Sequence, residues 1–432
     1  MKHFFRTLKE ELHLTLQTAW RSGVGKNAAS LYLIQFANYI LPLIVVPYLV
    51  RVLGPEHFGL VAFGQGLIAY FNIFVGYGFA LSATRRISVE RDDLLAVSRT
   101  ASSVWVAKGL FCVLALAILL LVITVVPKLQ EVSILFLILY GVVVGNALFP
   151  VWLFQGMEKM FFISAINLAM RFLVVAGVFT LIRRPEDYLL YAGLTSLGAL
   201  GAGVAGVVIA FYRFKLCPFF PSLTDILETL KEGWLLFLST ASVSLYTAGN
   251  AFILGMLTNP TVVGYYSAAE KVVRAVQMLL GPVSQSAYPR FVKKAAIESK
   301  DSVLYWARRG LIIQATLGFT LSSLIFVGAP LIVHILFGLK YTASILVMRI
   351  LAPLPLLVGI GSSLGQFVML PFGMDAARLT ILTIAGIMNV LLGIFLSKLW
   401  LANGMALAVV ISEMVVSCSF WLYLKTRNLS PV

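Results

Sequence analysis

Charge is what this chain has least of. Only 12% of its 432 residues are Asp, Glu, Lys or Arg, and acid is the scarcer sign, 18 residues against 33 basic ones. Soluble domains carry about twice that charged fraction. With 60% hydrophobic residues and a mean hydropathy of +0.95, an ordinary water-soluble globule is excluded. Cysteine is scarce too: Cys112 and Cys418 fall in apolar runs and Cys217 in a basic loop, with neither a disulfide framework nor metal-ligand spacing. Long polar stretches are missing. The largest gaps between apolar runs, 82–102, 212–232 and 288–309, are too short to bury a core of their own, which excludes an attached catalytic domain. Asp92 and Asp93 adjoin, without the spacing of the DxD pair that metal-nucleotide sugar transferases use, so the chain is read as no enzyme.

What is present is a series of apolar runs, each near the length of about 20 residues that crosses a bilayer as a helix. Twelve spans are predicted, at 27–50, 59–81, 103–126, 132–154, 162–182, 188–211, 233–257, 262–287, 310–334, 345–370, 379–400 and 404–424. The fold class is therefore an all-α polytopic membrane protein. With the N-terminus inside, only Arg51, Lys128, Arg183, Arg184, Lys340 and Lys398 fall outside, and Lys108, Arg171, Lys271, Arg274 and Arg349 fall within spans. The remainder of the 33 basic residues lie inside. Excess Lys and Arg in cytoplasmic loops sets the orientation of membrane proteins, so both termini are placed in the cytoplasm. The net charge of +15 is accounted for without a nucleic-acid partner.

Residues 1–26 are not a secretory signal, because Glu10, Glu11 and His13 interrupt any apolar core. Phe5, Leu8, Leu12 and Leu16 recur at helical spacing and predict an amphipathic helix on the inner leaflet.

The halves look related. Pro55-Glu56-His57-Phe58-Gly59 follows the first span and Pro260-Thr261-Val262-Val263-Gly264 the seventh, and one offset also carries Gln65 onto Glu270 and Arg85 onto Arg290. Six spans per half put both halves in the same orientation, a parallel repeat about an axis along the membrane normal. The expected organisation is a first lobe 27–211, a cytoplasmic linker 212–232, a second lobe 233–424 and a tail 425–432. Thr224 to Lys231 is predicted as a surface helix of the linker. Pro42, Pro47, Pro282, Pro353 and Pro355 lie within spans, where each loosens a helical hydrogen bond and permits a bend.

The segment around which the chain is organised, 260–290, is long and apolar enough to cross, yet carries Glu270, Lys271 and Arg274 near its middle. Intramembrane charges face a bundle interior or a wet cavity. Spacings of three and four residues place the three side chains in much the same sector. They line a path, or Glu270 and Arg274 form a self-neutralising pair. Arg171 lies in a stretch, 165–182, with no other charge. Lys108 and Arg349, nearer span ends, either face inward or snorkel to head groups. Glu270 and Glu413 are the acidic candidates for a coupling ion at depth, or they compensate nearby arginines. Tyr32, Phe36, Tyr39, Tyr70, Phe71 and Tyr77 are candidates to stack on sugar rings.

Ala37 to Leu67, ANYILPLIVVPYLVRVLGPEHFGLVAFGQGL, and Val263 to Phe291, VGYYSAAEKVVRAVQMLLGPVSQSAYPRF, resemble the two signatures of the polysaccharide transporter family of the MOP superfamily, the Wzx-type O-antigen flippases. The resemblance in span layout covers essentially the whole chain. It implies a MATE-like pair of six-helix lobes around a central cationic cavity in the bacterial inner membrane. It implies translocation of undecaprenyl-pyrophosphate-linked oligosaccharide units, without chemical change, for O-antigen and lipopolysaccharide biosynthesis. Arg171, Lys271, Arg274 and Lys108 are then the candidate substrate-binding cations. No cofactor is expected beyond coupling to a proton or sodium gradient through Glu270 or Glu413; the partners expected are membrane lipids and the polysaccharide polymerase machinery. The rival expectation is an ion-coupled drug or metabolite exporter of the same superfamily, which would favour deep acids in the first lobe. None is present in spans one to six.

Overall fold

The computed structural model describes residues 24–281, 284, 291–292 and 297–431, and the side chains from Ile44 onward except those of 239, 242–243 and 245–247. The predicted surface segment at residues 5–16, Pro282, Arg290 and the rings of Tyr32, Phe36 and Tyr39 lie outside what is described. Among the described residues there is no strand. The helices are α1 Val24–Gly76, α2 Phe79–Glu90, α3 Leu94–Val125, α4 Ser133–Leu148, α5 Val151–Gly156, α6 Met160–Leu181 and α7 Tyr188–Phe214. They continue as α8 Leu223–Thr247, α9 Asn250–Leu257, α10 Pro260–Gln277, α11 Lys300–Leu336, α12 Ser344–Leu351, α13 Leu354–Leu364 and α14 Asp375–Thr426.

Among the described residues, eight helical stretches are long and apolar enough to cross a membrane. Two of these hold two rods each: α1 turns at Gly54 (φ 71°) and α14 turns at Trp400 and Leu401. The α8–α9 rod and α10 complete the twelve predicted spans. Gly54 adopts a left-handed φ that residues with a Cβ disfavour, which is why the first hairpin is so tight. The expected bends at proline fall differently. Pro47 and Pro330 sit inside continuous helix, and the break in span ten comes between α12 and α13, where Pro353 is the N-cap. The linker helix expected at 224–231 is the start of α8, opened by a reciprocal Ser222–Asp225 capping box.

The buried apolar residues divide unequally. One continuous core holds side chains of both lobes, from Leu49, Phe63 and Phe136 to Leu254, Tyr266, Tyr341 and Met405, and it lies toward the face assigned to the outside. Toward the other face there are two separate cores. One belongs to the first lobe, around Phe79, Trp152 and Phe214, and the other to the second lobe, around Leu364, Phe367 and Phe420. Among the described residues the lobes share one core toward the face assigned to the outside, whereas toward the other face they meet where the start of span seven packs on the end of span two, Gly233 on Gly78 and Phe237 on Tyr77.

The join runs along the second rod of α1. Gly59 packs so closely on Pro260, and Gly264 on Pro55, that a Cβ at either glycine would overlap the other lobe's carbonyl oxygen. Further along, Phe63 stacks on Phe252 with ring centroids 5.3 Å apart and Tyr70 packs over Gly249. Small residues allow such backbone approach between membrane helices, where dispersion contacts supply much of the association energy.

Candidate functional site

Helix α10 begins at an Asn259 cap, whose side chain accepts the Val262 amide hydrogen at 3.0 Å, with Pro260 as its first residue. Val263, Ala268, Ala269, Val272 and Val273 are buried and fix its rotation. That rotation presents the three charged groups differently from the sequence expectation. Arg274 forms the ion pair with Glu270, Nη2 to Oε1 3.2 Å, so of the two readings for Glu270 the pairing is made. Lys271 points the other way, donating to Gln65 Oε1 of the first lobe at 3.4 Å with its ammonium 5.3 Å from the Phe58 ring centroid. Positions three apart differ by about 60° around a helix, enough here to send one cation to each lobe. The shared-sector expectation is corrected accordingly.

Arg274 continues into a cavity of about 210 Å³ within the second lobe, bounded also by Gln277, Ser362, Gln366, Arg378 and Glu413. Glu413 is 9% exposed, and Arg378 Nε and Gln277 Oε1 are buried without a hydrogen-bond partner. Buried polar groups are normally satisfied, and both residues line this cavity. The wall opposite Arg378 is built from Gly361 and Gly365, and a Cβ at Gly365 would come within 3.2 Å of Arg378 Nε. At Gly365 the backbone enters a π-helical turn, Gly365–Met369, a distortion frequent at functional sites.

Sequence reasoning missed Arg378, counting it among inner-loop cations because it opens an apolar run. Its packing on Gly365, just past α13, is a tertiary property; the visible signal was the Gly-x-Gly-x-x-x-Gly pattern from Gly359 to Gly365.

The other candidates are dispersed. Lys108 is 7% exposed in the first-lobe interior and does not snorkel to the surface. Arg171 is half-buried on α6, already engaged in a contact, and its helix packs on α1 and α7 rather than on α10. Arg349 lies 5.7 Å from the Phe326 ring centroid. Of the aromatic set, Phe71 packs on Tyr140 and Tyr77 stacks on Phe237 at 5.0 Å, both spent on protein contacts. Asp93 caps α3, accepting from the Leu95 and Ala96 amides, which gives that acid a structural role.

The fold is that of the MOP-superfamily transporters. It matches a solved structure of the lipid II flippase MurJ in an inward closed conformation over 91% of this chain and 87% of that one, with a TM-score of 0.75 and 17% identity. It also matches an inward-facing MATE multidrug resistance transporter over 90% and 94%, with a TM-score of 0.63 and 14% identity. The chain belongs to the polysaccharide biosynthesis protein family, whose model matches residues 24–295. It is 30% identical over 94% of its length to a protein of Escherichia coli K12 named "Putative O-antigen transporter", covering 98% of that protein. A protein of Shigella dysenteriae with the same name is also 30% identical, over 90% of this chain and 97% of its own length.

Proposed function

We propose that this protein is a flippase of the bacterial inner membrane, carrying an undecaprenyl-pyrophosphate-linked oligosaccharide unit from the inner to the outer leaflet for surface polysaccharide synthesis. Both termini lie in the cytoplasm, and lobes 27–211 and 233–424 rock about the linker 212–232. The observation that supports this best is the division of the cores, single on one side and double on the other. On this reading the two inner cores move apart around a cargo path, with Lys271 reaching the first lobe and Arg274 and Arg378 lining the second-lobe cavity.

The diphosphate is the part of such a cargo that most resists crossing a bilayer. Guanidinium groups offer it paired, charge-assisted hydrogen bonds, and these are stronger at a partly buried site than in bulk water. Glu270 holds Arg274 in position until phosphate oxygens compete for it. Glu413, nearly buried beside both arginines, is the carboxylate through which a proton or sodium gradient would act. The lobes change the exposure of the cargo and break no bond in it; the polysaccharide polymerase machinery is the expected acceptor of the delivered unit.

The test is reconstitution in vesicles containing a fluorescent polyprenyl-diphosphate glycan, with transbilayer movement read by a membrane-impermeant quencher. Protein-dependent movement that fails for the same glycan on an uncharged polyprenyl ether supports the reading. Movement no faster than in protein-free vesicles refutes it.

A further inference from the structure

The outer join carries two side chains that apolar packing does not require. Arg51, at the end of the first rod of α1, donates from Nε to the Leu336 carbonyl oxygen at 3.1 Å and from Nη2 to that of Ile335. These are the last carbonyls of α11, in the opposite lobe. Lys128, in the one-turn helix Pro127–Gln130, donates its ammonium to Met256 O at 3.3 Å and to Thr258 O. Those close the end of α9, again in the opposite lobe.

A helix leaves its last four carbonyls without partners along the chain and concentrates partial negative charge there. At α11 the Phe337 and Gly338 amides return to Val333, and at α9 the Thr258 amide returns to Leu254. Neither return reaches the four oxygens that Arg51 and Lys128 take. Each second-lobe helix therefore receives part of its C-terminal cap from a first-lobe cation. The reciprocal Gly59 and Gly264 contacts belong to the same join between the lobes.

We infer that Arg51 and Lys128 are the two fasteners of the outer seal: positioning residues that hold the lobes together on the far side while the inner cores move apart, and whose release accompanies outward opening. The inference deepens the proposed transport cycle and rests on it for what is called outer; the contacts themselves belong to the structure. Opening strips both caps at once, leaving the carbonyls to water, so the fasteners bias the resting equilibrium without forbidding the exchange. A charged hydrogen bond contributes about 1.5–3 kcal/mol, so loss of each cap is expected to shift the closed-to-open ratio by on the order of tenfold.

The experiment measures the distance between spin labels at Glu186→Cys and Lys340→Cys, exposed outer sites on the two lobes, in a chain whose Cys112, Cys217 and Cys418 are replaced by alanine. No cargo is present, so the result does not depend on which glycan is carried or whether one is. The expected result is a single short-distance population in the parent. A longer one should appear in Arg51→Gln/Lys128→Gln and revert in Arg51→Lys/Lys128→Arg. Lys398→Gln, at an exposed cation assigned to the same face, should leave the parent distribution unchanged. An unaltered distribution in the double Gln variant overturns the inference, as does a shift that the charge-retaining pair fails to reverse.

Discussion

Gly264 lies against the carbonyl of Pro55 as Gly59 lies against that of Pro260, so the two repeat motifs, 205 residues apart, close on each other at the start of their respective helices. The sequence repeat is thus also a contact. At both glycines a methyl group has no room.

Substituting either glycine by alanine is expected to part the outer join. Overpacking of this kind costs about 1–3 kcal/mol, so Gly264→Ala should lower the midpoint of thermal unfolding in detergent. Gly109→Ala is the matched control. Nothing lies within 4 Å of an added Cβ in the middle of α3, and there the substitution should be neutral or stabilising by up to about 1 kcal/mol.

Arg378→Gln should reduce flipping in the vesicle assay at least about tenfold, the equivalent of one charged hydrogen bond, with protein level unchanged. Arg378→Lys should recover part of it, since a lysine restores charge and not the paired geometry. Arg349→Gln, whose cation stands over Phe326 and outside the cavity, should leave the rate within about twofold. Equal losses at the two positions would remove the cavity from the transport path.

The Glu270–Arg274 pair is open to a double-mutant cycle with Glu270→Gln and Arg274→Gln, read by unfolding in detergent. Polar pairs within membrane proteins average about 0.6 kcal/mol, and a coupling of that size is expected. Transport should separate the partners: Arg274→Gln disables it, whereas Glu270→Gln frees a guanidinium and retains most of it.

At the linker, Ser222→Ala should destabilise the start of α8 by about 1 kcal/mol. Hydrogen bonds from Ser222, aided by the nearby Arg99, hold the Asp225 carboxyl below its ordinary value of 3.8. A carboxylate whose folded value is depressed contributes stability above its unfolded value and loses it as pH falls through the folded one. The penalty of Ser222→Ala should therefore be full at neutral pH and shrink below about pH 4. Unfolding of the two proteins followed from pH 7 to pH 3 measures this.

Most of the architecture was written in the hydropathy and in where the cations fall. Apolar length marks the rods, Gly54 marks the first hairpin, and the Pro-to-Gly motif marks the repeat. The site was less legible, for reasons visible at single residues. Lys271 and Arg274 share an apolar helix and a spacing that suggests a common face, but Gln65, the partner that takes Lys271 to the first lobe, is far away in sequence. Arg378 reads as an inner-loop charge until Gly365 brings the neighbouring segment onto it. Lys108 sits near enough to a span end to reach head groups, and only packing shows that it does not. Asp93 next to Asp92 suggests chemistry until the start of α3 claims it as a cap.

The continuity of the outer core has a thermodynamic corollary. Parting the lobes there would bare Phe63, Phe252 and their neighbours, so in the proposed cycle the unloaded protein would favour one posture and leave it only by rare fluctuation. A passenger whose long hydrocarbon tail could coat that surface would lower the barrier. The greasy handle of the glycan would then act as a lubricant for the stroke as well as an anchor in the bilayer.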